Sequence, residues 1–200
     1  MFTSFWASLY VWIVPAWRTT ISGREKINSK KTYVIVSNHQ SQLDILVAFG
    51  LFFPFKWVSK AEIFRVPFIG WNMALNRYIK IKRGDKKSIR QMQKECENAL
   101  KKGSSVFFFP EGTRSKSGHL GAFKSGAFAL AHKMKIPILA IAISGTKNAL
   151  PKHSMNFHGS HNIHLKVLEE IPYILFSEKT VDETAQMVRE RIAVHLQTQK

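Results

Sequence analysis

The order of apolar and polar residues alternates between two periods along the chain. Short apolar or β-branched runs predict strands at residues 32–37, 55–59, 77–82, 105–109, 136–143 and 162–167. Apolar residues recur at helical spacing at residues 40–49, 86–102, 123–134 and 181–197. Residues 61–75 are apolar but contain Pro67 and Gly70, which predicts a broken helix and loop. We expect an α/β fold with a mixed, largely parallel central sheet flanked by helices.

The N-terminal segment differs from the rest of the chain, because residues 1–17 carry no charge. This run is slightly short for a bilayer span, is interrupted by Pro15, and lacks the cationic start and cleavage site of a signal peptide. It is rich in aromatic residues of the kind that settle among lipid headgroups: Phe2, Phe5, Trp6, Tyr10, Trp12 and Trp17. We predict a membrane-interface helix over residues 1–22, followed by a catalytic domain over residues 23–200. The alternative is a helix that packs on the protein's own core.

Composition limits the chain to one catalytic-size domain and gives it a strongly basic surface. The 200 residues are 45% hydrophobic, and 30 Lys and Arg against 13 Asp and Glu give a net charge of +17. Such a surface attracts nucleic acid, anionic lipid or phosphorylated small molecules. Lys-rich residues 80–87 are not part of a recognisable nucleic-acid module, so no nucleic-acid partner is expected.

Cysteine and histidine content favours neither thiol chemistry nor a metal site. The single cysteine, Cys96, excludes an internal disulfide and shares helical spacing with Met92, which indicates a buried structural thiol. Four histidines lie close together near the C-terminal third: His153, His158, His161 and His164. Their segment has no Cys or Asp, and strand alternation places His161 and His164 on opposite faces. We therefore expect no metal ligands.

The segment NHQSQLD, residues 38–44, is the first candidate for chemistry, and it stands where a predicted strand gives way to a helix. With a helix that starts near Gln40 or Ser41, Asp44 lies about one turn inside it. Its carboxylate then reaches one imidazole nitrogen of His39 and leaves the other nitrogen free to accept a proton. A histidine and aspartate at this spacing also occur by chance, so the motif alone is weak.

The segment FPEGTRS, residues 109–115, closes the most apolar predicted strand. Gly112 permits close backbone approach to a ligand, and the planar guanidinium of Arg114 matches a phosphate. Glu111 either hydrogen-bonds ligand hydroxyls or holds Arg114. The competing interpretation is a surface turn with a local ion pair.

Together the two segments resemble the glycerolipid acyltransferase family, whose best-known members are lysophosphatidic acid acyltransferases. Three weaker blocks fall in the same order: IKIKR at residues 79–83, GAFKSGAF at residues 121–128 and IPILAIAIS at residues 136–144. In the first of them Lys82 replaces the aspartate that the family usually has. The resemblance covers about residues 30–148.

The resemblance implies a role for each matching position. His39 is the general base and Asp44 its partner, which makes these two the catalytic residues. Six positions are expected to bind the substrate: Arg83, Glu111, Gly112, Thr113, Arg114 and Lys124. Arg114 is expected on the acceptor's phosphate, with Arg83 as a second cation.

The expected reaction moves a fatty acyl group from acyl-CoA or acyl-carrier protein to lysophosphatidic acid, which gives phosphatidic acid. No cofactor is expected beyond this co-substrate, because a thioester is already activated for attack by an alcohol. The expected location is the cytoplasmic face of the inner (plasma) membrane, against anionic lipid. Two alternatives remain open: acylation of another lysophospholipid or glycerolipid, and a non-catalytic basic protein that binds membrane surfaces or nucleic acid.

Overall fold

The structure is a computed structural model that describes residues 2–115, 119–149 and 159–198. The strands are β1 (Trp17–Ser22), β2 (Val34–Ser37), β3 (Phe55–Lys60), β4 (Ile79–Ile81), β5 (Ser105–Phe108), β6 (Ile138–Ser144) and β7 (His161–Ile171). The α-helices are α1 (Phe2–Ile13), α2 (Leu43–Phe49), α3 (Ile69–Leu75), α4 (Lys86–Lys101), α5 (Gly126–Met134), α6 (Thr146–Ala149) and α7 (Val181–Gln197). Short 3-10 helices cover Arg24–Lys26, Ala61–Arg65 and Tyr173–Leu175.

One seven-stranded sheet runs through the described residues in the order β1-β7-β6-β2-β5-β3-β4. Its neighbouring strands are parallel except for β6 and β7, which run antiparallel. The predicted mixed, largely parallel sheet is therefore confirmed. Because β2, β3, β4, β5 and β6 point the same way, their carboxyl ends share one edge, where α/β proteins usually build their sites.

The sheet separates two hydrophobic cores. Ile35 of β2 and Phe107 of β5 face α1 and α2, while Val34 and Val106 face α4, α5 and α7. Side chains of successive strand residues point to opposite faces, and all four residues of β2 are buried. This explains the uninterrupted apolar runs in the sequence.

Several predicted elements have different limits in the structure, and hydrogen bonds account for three of these differences. Helix α2 begins at Leu43 rather than near residue 40, because the Asp44 carboxylate accepts the N–H groups of Gln40 and Ser41 and holds them in a turn. Helix α5 begins at Gly126, since the Lys124 N–H is bonded to the carbonyl of Pro110. Strand β7 is longer than predicted, because its pairing with β6 continues to Ile171 through a register shift.

The N-terminal segment is a helix only as far as Ile13. The expectation of a helix over residues 1–22 is wrong in its second half, where Trp17–Ser22 forms β1 and pairs with β7. Pro15, which cannot donate a backbone hydrogen bond, lies in the turn between them. Helix α1 packs Val11 against the core and exposes Phe5 and Trp12, among others, so both interpretations of this helix have structural support. Among the described residues, none of the helices combines the length and apolar character that crossing a bilayer requires.

The buried thiol predicted for Cys96 is confirmed, because its side chain is fully enclosed on α4. Burial raises the pKa of this thiol well above its ordinary value, which keeps it protonated and unreactive. Of the clustered histidines, His161 lies in β7 on the side of Ile163, and His164 lies on the other side. His153 and His158 lie outside the described residues.

Candidate functional site

The imidazole of His39 is paired with the carboxylate of Asp44 just past the carboxyl end of β2. The Nδ1 atom of His39 and Oδ2 of Asp44 are 2.8 Å apart. The Asp44 side chain is completely buried, whereas that of His39 is 14% exposed. A carboxylate at Nδ1 leaves Nε2 free to take a proton from a substrate hydroxyl.

The Asp44 carboxylate is held by donors on every side. Its Oδ2 atom also accepts the backbone N–H groups of Gln40 and Ser41, at 2.7 and 2.8 Å. Its Oδ1 atom accepts the hydroxyl of Thr146, the first residue of α6, at 2.5 Å. These bonds offset the cost of burying the carboxylate and fix its position under the imidazole.

Two further contacts orient the loop and the ring. The Asn38 side chain, which is buried, donates to the Ile143 carbonyl and accepts from the Ile143 N–H, each at 2.8 Å, which joins the loop to β6. The His39 ring stacks on Phe109, with centroids 4.0 Å apart and planes 12° apart. The bond to Asp44 and the stacking on Phe109 therefore together fix the orientation of the imidazole ring.

The turn after β5 forms hydrogen bonds with both backbone groups of His39. The His39 N–H donates to Oε1 of Glu111 at 2.8 Å, and the Ser115 N–H donates to the His39 carbonyl at 2.9 Å. The residues between Glu111 and Ser115 include Arg114. The two motifs that stood far apart in the sequence thus form one hydrogen-bonded unit.

Glu111 also connects this unit to the loop before α5. Its Oε2 atom accepts the Gly121 N–H at 2.9 Å. Burial raises the pKa of the Glu111 carboxyl, although the N–H groups of Gly121 and His39 oppose that rise. Both carboxylate oxygens accept backbone N–H groups, so in this structure Glu111 links the loop of His39 to the loop of Gly121.

Gly112 and Lys124 lie against each other at the same turn. Gly112 has φ of +70°, a left-handed conformation that favours glycine. A Cβ atom built there would lie 2.9 Å from both Cε and Nζ of Lys124. The Lys124 ammonium therefore sits directly over the glycine, and Lys124 joins the cluster that the sequence predicted.

Arg114 is half-exposed, and Thr113 is exposed. None of the ion pairs among the described residues involves Arg114. Within that part of the chain no carboxylate pairs with its guanidinium, which is therefore available to bind a ligand anion.

Arg83 is not part of this cluster. It is exposed two residues after β4, which is separated from β2 by β5 and β3. Three strand spacings of about 4.8 Å place β4 roughly 14 Å from β2. Arg83 shares the edge of the sheet with His39 but approaches from its far side.

Three contributors to the site were not singled out from the sequence: Thr146, Phe109 as a stacking partner, and Arg189. Thr146 follows the carboxyl end of β6, and that position is the signal that would have drawn attention to it. Arg189 on α7 donates to the carbonyls of Leu120 and Gly121 at 2.9 and 2.8 Å. It lies outside both motifs, so local sequence offers no such signal.

The described residues hold no group of three or more His, Cys, Asp or Glu side chains placed to bind a metal ion. The cluster provides a base with an orienting carboxylate, and the turn that holds this base also carries Arg114 and has Lys124 packed against Gly112. That combination suits proton removal from the hydroxyl of an anionic substrate.

Comparison with known proteins shows which family the chain resembles. A model of the acyltransferase family matches residues 18–144. A chloroplastic 1-acyl-sn-glycerol-3-phosphate acyltransferase of Brassica napus is 45% identical over 150 residues, which cover 74% of this chain and 43% of that protein. The 1-acyl-sn-glycerol-3-phosphate acyltransferase of Pseudomonas aeruginosa is 39% identical over 141 residues, covering 68% of this chain and 54% of that protein.

A solved structure extends the similarity to almost the whole chain. The LPA acyltransferase PlsC of Thermotoga maritima matches with a TM-score of 0.84 and 25% identity, covering 98% of this chain and 77% of that one. The chain spans about half the length of the Brassica and Pseudomonas relatives. The family model covers more than half of the chain, and the paired His39 and Asp44 lie within it. On these grounds, the chain belongs to the acyltransferase family.

Proposed function

We propose that this chain transfers a fatty acyl group from an acyl thioester, acyl-CoA or acyl-carrier protein, to the free hydroxyl of lysophosphatidic acid, giving phosphatidic acid. The observation that carries the proposal is the His39–Asp44 pair, held by the turn that carries Arg114. The Brassica and Pseudomonas relatives are 1-acyl-sn-glycerol-3-phosphate acyltransferases, which supports the same acceptor.

In this proposal His39 acts as a general base. Its Nε2 atom removes the proton from the acceptor hydroxyl as the oxygen attacks the thioester carbonyl. The buried Asp44 stabilises the imidazolium that forms. Collapse of the tetrahedral intermediate breaks the carbon–sulfur bond, and the thiolate takes the proton back from His39. The products are an ester and a free thiol, and the base is regenerated.

The acceptor's phosphate is assigned to the cationic side of the turn. Arg114 offers a planar pair of donors to two phosphate oxygens, and Lys124 adds a charge beside Gly112. The backbone of Gly112 lies against the Lys124 ammonium, and Thr113 directly precedes Arg114. Arg83, on the far side of the sheet edge, is assigned to a part of the substrate farther from the reacting hydroxyl.

The reaction as proposed uses no cofactor and no covalent acyl-enzyme. The thioester is already activated, and the thiol of Cys96 is enclosed in the core between α4 and the sheet. The alcohol therefore attacks the acyl donor directly, with both substrates held together.

The proposed location of the protein is the cytoplasmic face of a membrane, where both the acceptor and its product reside. Helix α1 supports this location, because it exposes Phe5, Trp6, Trp12 and Ile13. The net charge of +17 favours an anionic lipid surface over a neutral one.

Thiol release from acyl-CoA and from acyl-carrier protein, measured with a panel of lysophospholipids, tests the proposed function. We expect release that depends on lysophosphatidic acid and exceeds that with lysophospholipids whose phosphate carries a further headgroup. Preference for another lysophospholipid would shift the assignment to that acceptor. Absence of release with every acceptor and both donors would reject the enzymatic role.

Replacing Arg114 with alanine is expected to raise the KM for lysophosphatidic acid by about ten-fold or more, since a charge-assisted contact is worth about 1.5–3 kcal/mol. Turnover of monoacylglycerol, which has no phosphate, should not fall by a similar factor. Arg90, an exposed arginine on α4, provides the matched control when replaced with alanine. Equal losses on both acceptors, or none on either, would remove Arg114 from the phosphate site.

A further inference from the structure

The connection between β3 and β4 exposes an unusual amount of apolar surface. Its exposed apolar side chains are Val66, Pro67, Phe68, Ile69, Trp71, Ala74 and Leu75. Phe68 is 77% exposed, Trp71 62% and Leu75 83%. Single exposed apolar residues are normal on any protein, but a contiguous set of this size marks an interaction surface. We call residues 65–77 the β3–β4 surface.

The backbone of the β3–β4 surface holds these side chains outward. Phe68 has φ of +62°, a left-handed conformation that is strained for a residue with a side chain. Its ring makes an edge contact with Trp71 at 5.2 Å. Gly70 packs so closely on the preceding 3-10 helix that a Cβ there would overlap the Phe64 carbonyl oxygen. The exposed aromatic pair is thus built into a tightly packed turn.

The rim of the β3–β4 surface is basic. Arg65 and Arg77 stand at its two ends, and Lys80 lies beside it over the ring of Phe64 at 4.8 Å. The acidic residue in the adjoining 3-10 helix, Glu62, lies 3.6 Å from the ammonium of Lys60. Aromatic side chains surrounded by Lys and Arg are suited to the headgroup region of an anionic bilayer.

The β3–β4 surface also adjoins α1. The Thr3 hydroxyl of α1 contacts the Asn76 side chain at 3.3 Å. Val11 of α1 and Met73 of α3 also pack into the same core, so the two elements are neighbours on one side of the sheet. The 3-10 helix that leads into the surface starts at the carboxyl end of β3, the edge that carries His39.

We propose that the β3–β4 surface is a second lipid-docking element, which inserts Phe68 and Trp71 among the headgroups of an anionic bilayer. This assignment rests on the proposed function, in which the acceptor is a lipid of the same membrane. Two contact points, α1 and the β3–β4 surface, fix the tilt of the domain, which a single helix does not. The active-site edge then faces the membrane from which a lipid acceptor enters.

Vesicle flotation of the full chain tests this proposal. The double variant Phe68→Ser/Trp71→Ser should bind phosphatidylcholine vesicles containing phosphatidylglycerol about ten-fold or more weakly, because two large apolar side chains no longer leave water. The control, Ile174→Ser/Leu175→Ser, removes two exposed apolar residues elsewhere and should bind like the wild type. Unchanged binding of the Phe68/Trp71 variant would overturn the proposal. The proposal would also be overturned if the wild type were a dimer and the Phe68/Trp71 variant a monomer that still binds lipid. In that case the β3–β4 surface would bind a second copy of the chain.

A second measurement on the unmodified chain guards against a variant that fails to fold. Hydrogen exchange of residues 65–77 should slow in the presence of anionic vesicles, and absence of protection would count against docking. Turnover of a short-chain lysophosphatidate that stays in solution should be the same in the Phe68/Trp71 variant and the wild type. This assay separates a failure of docking from a failure of the proposed activity, which would abolish turnover in both.

A different set of contacts supports an independent inference about α7. Arg189 donates from Nε and Nη2 to the carbonyls of Gly121 and Leu120. The Gly121 N–H then donates to Glu111, whose other oxygen accepts the N–H of His39. We infer that Arg189 is a positioning residue, which acts on the base through the loop before α5 and Glu111.

Steady-state kinetics of Arg189 variants test this inference. Arg189→Ala should lower kcat about ten-fold or more with little change in the KM for the acceptor, because small displacements of a base cost rate rather than binding. Arg189→Lys, or added guanidinium ion with the alanine variant, should restore part of kcat. The control is Arg191→Ala on the same helix, whose side chain pairs with Glu169 instead. A loss of kcat in Arg189→Ala no larger than in Arg191→Ala, or one that tracks only the unfolded fraction, would reject the role.

Discussion

Replacing His39 with alanine is expected to reduce kcat by at least about 10²-fold, since general-base catalysis typically contributes 10²–10⁴-fold. The fold should survive the change. Asp44 keeps three other donors, the N–H groups of Gln40 and Ser41 and the hydroxyl of Thr146, so its buried carboxylate stays satisfied. Turnover of acyl thioester with lysophosphatidic acid, together with urea unfolding, measures both effects.

His132 offers the matched control for that experiment. It lies on α5, its Nε2 atom is 2.8 Å from the Thr184 hydroxyl, and its ring packs against Phe176. His132→Ala therefore removes a similar ring and hydrogen bond outside the site, and it should cost stability but not turnover of the folded protein. Near-normal turnover in His39→Ala would contradict the assignment of His39 as base.

Asp44→Asn is expected to produce the second large loss, again at least about 10²-fold in kcat. An asparagine oxygen can occupy the place of Oδ2 and its amide can face Thr146, so much of the hydrogen bonding is retained. What disappears is the negative charge that stabilises the imidazolium; the equivalent change in a serine-protease triad costs about 10⁴-fold. The measurement is kcat alongside the free energy of unfolding.

Thr146→Val separates charge from packing in the same network. This change removes the hydroxyl donor to Oδ1 of Asp44 and leaves the three bonds at Oδ2 in place. We expect it to cost about 1–3 kcal/mol of stability but less than ten-fold in kcat. If Thr146→Val lost as much activity as Asp44→Asn, generic damage to the network would explain both results.

The parts of the site that sequence patterns predicted are local ones. His39 and Asp44 are five residues apart, and Glu111 to Ser115 form a single turn after an apolar strand. A short run that leaves a buried strand is constrained to the carboxyl edge of the sheet, so its position follows from the pattern alone. The sequence also showed that Pro67 and Gly70 would interrupt residues 61–75, which the separate 3-10 helix and α3 confirm.

The parts that sequence patterns did not predict depend on contacts between distant segments. Thr146 meets Asp44 across 102 residues of chain, and Arg189 reaches Gly121 across 68. Strand β1 forms because it pairs with β7, a contact between distant parts of the chain. The apolar and aromatic character of residues 1–17 carries no sign of that pairing and suggested a longer helix instead. Helix α2 starts late because the Asp44 carboxylate stabilises a turn before it, a side-chain effect that apolar periodicity does not register.

The central claim is that a hydroxyl of a phosphorylated lipid acceptor attacks the thioester directly. Parallel measurement of thiol released and phosphatidic acid formed, in the same reaction on vesicles, tests it most directly. We expect equal amounts of the two products and negligible thiol release when lysophosphatidic acid is omitted. Thiol release that continues without the acceptor, or that exceeds phosphatidic acid formation, would show that water rather than the lipid hydroxyl receives the acyl group and would contradict the account.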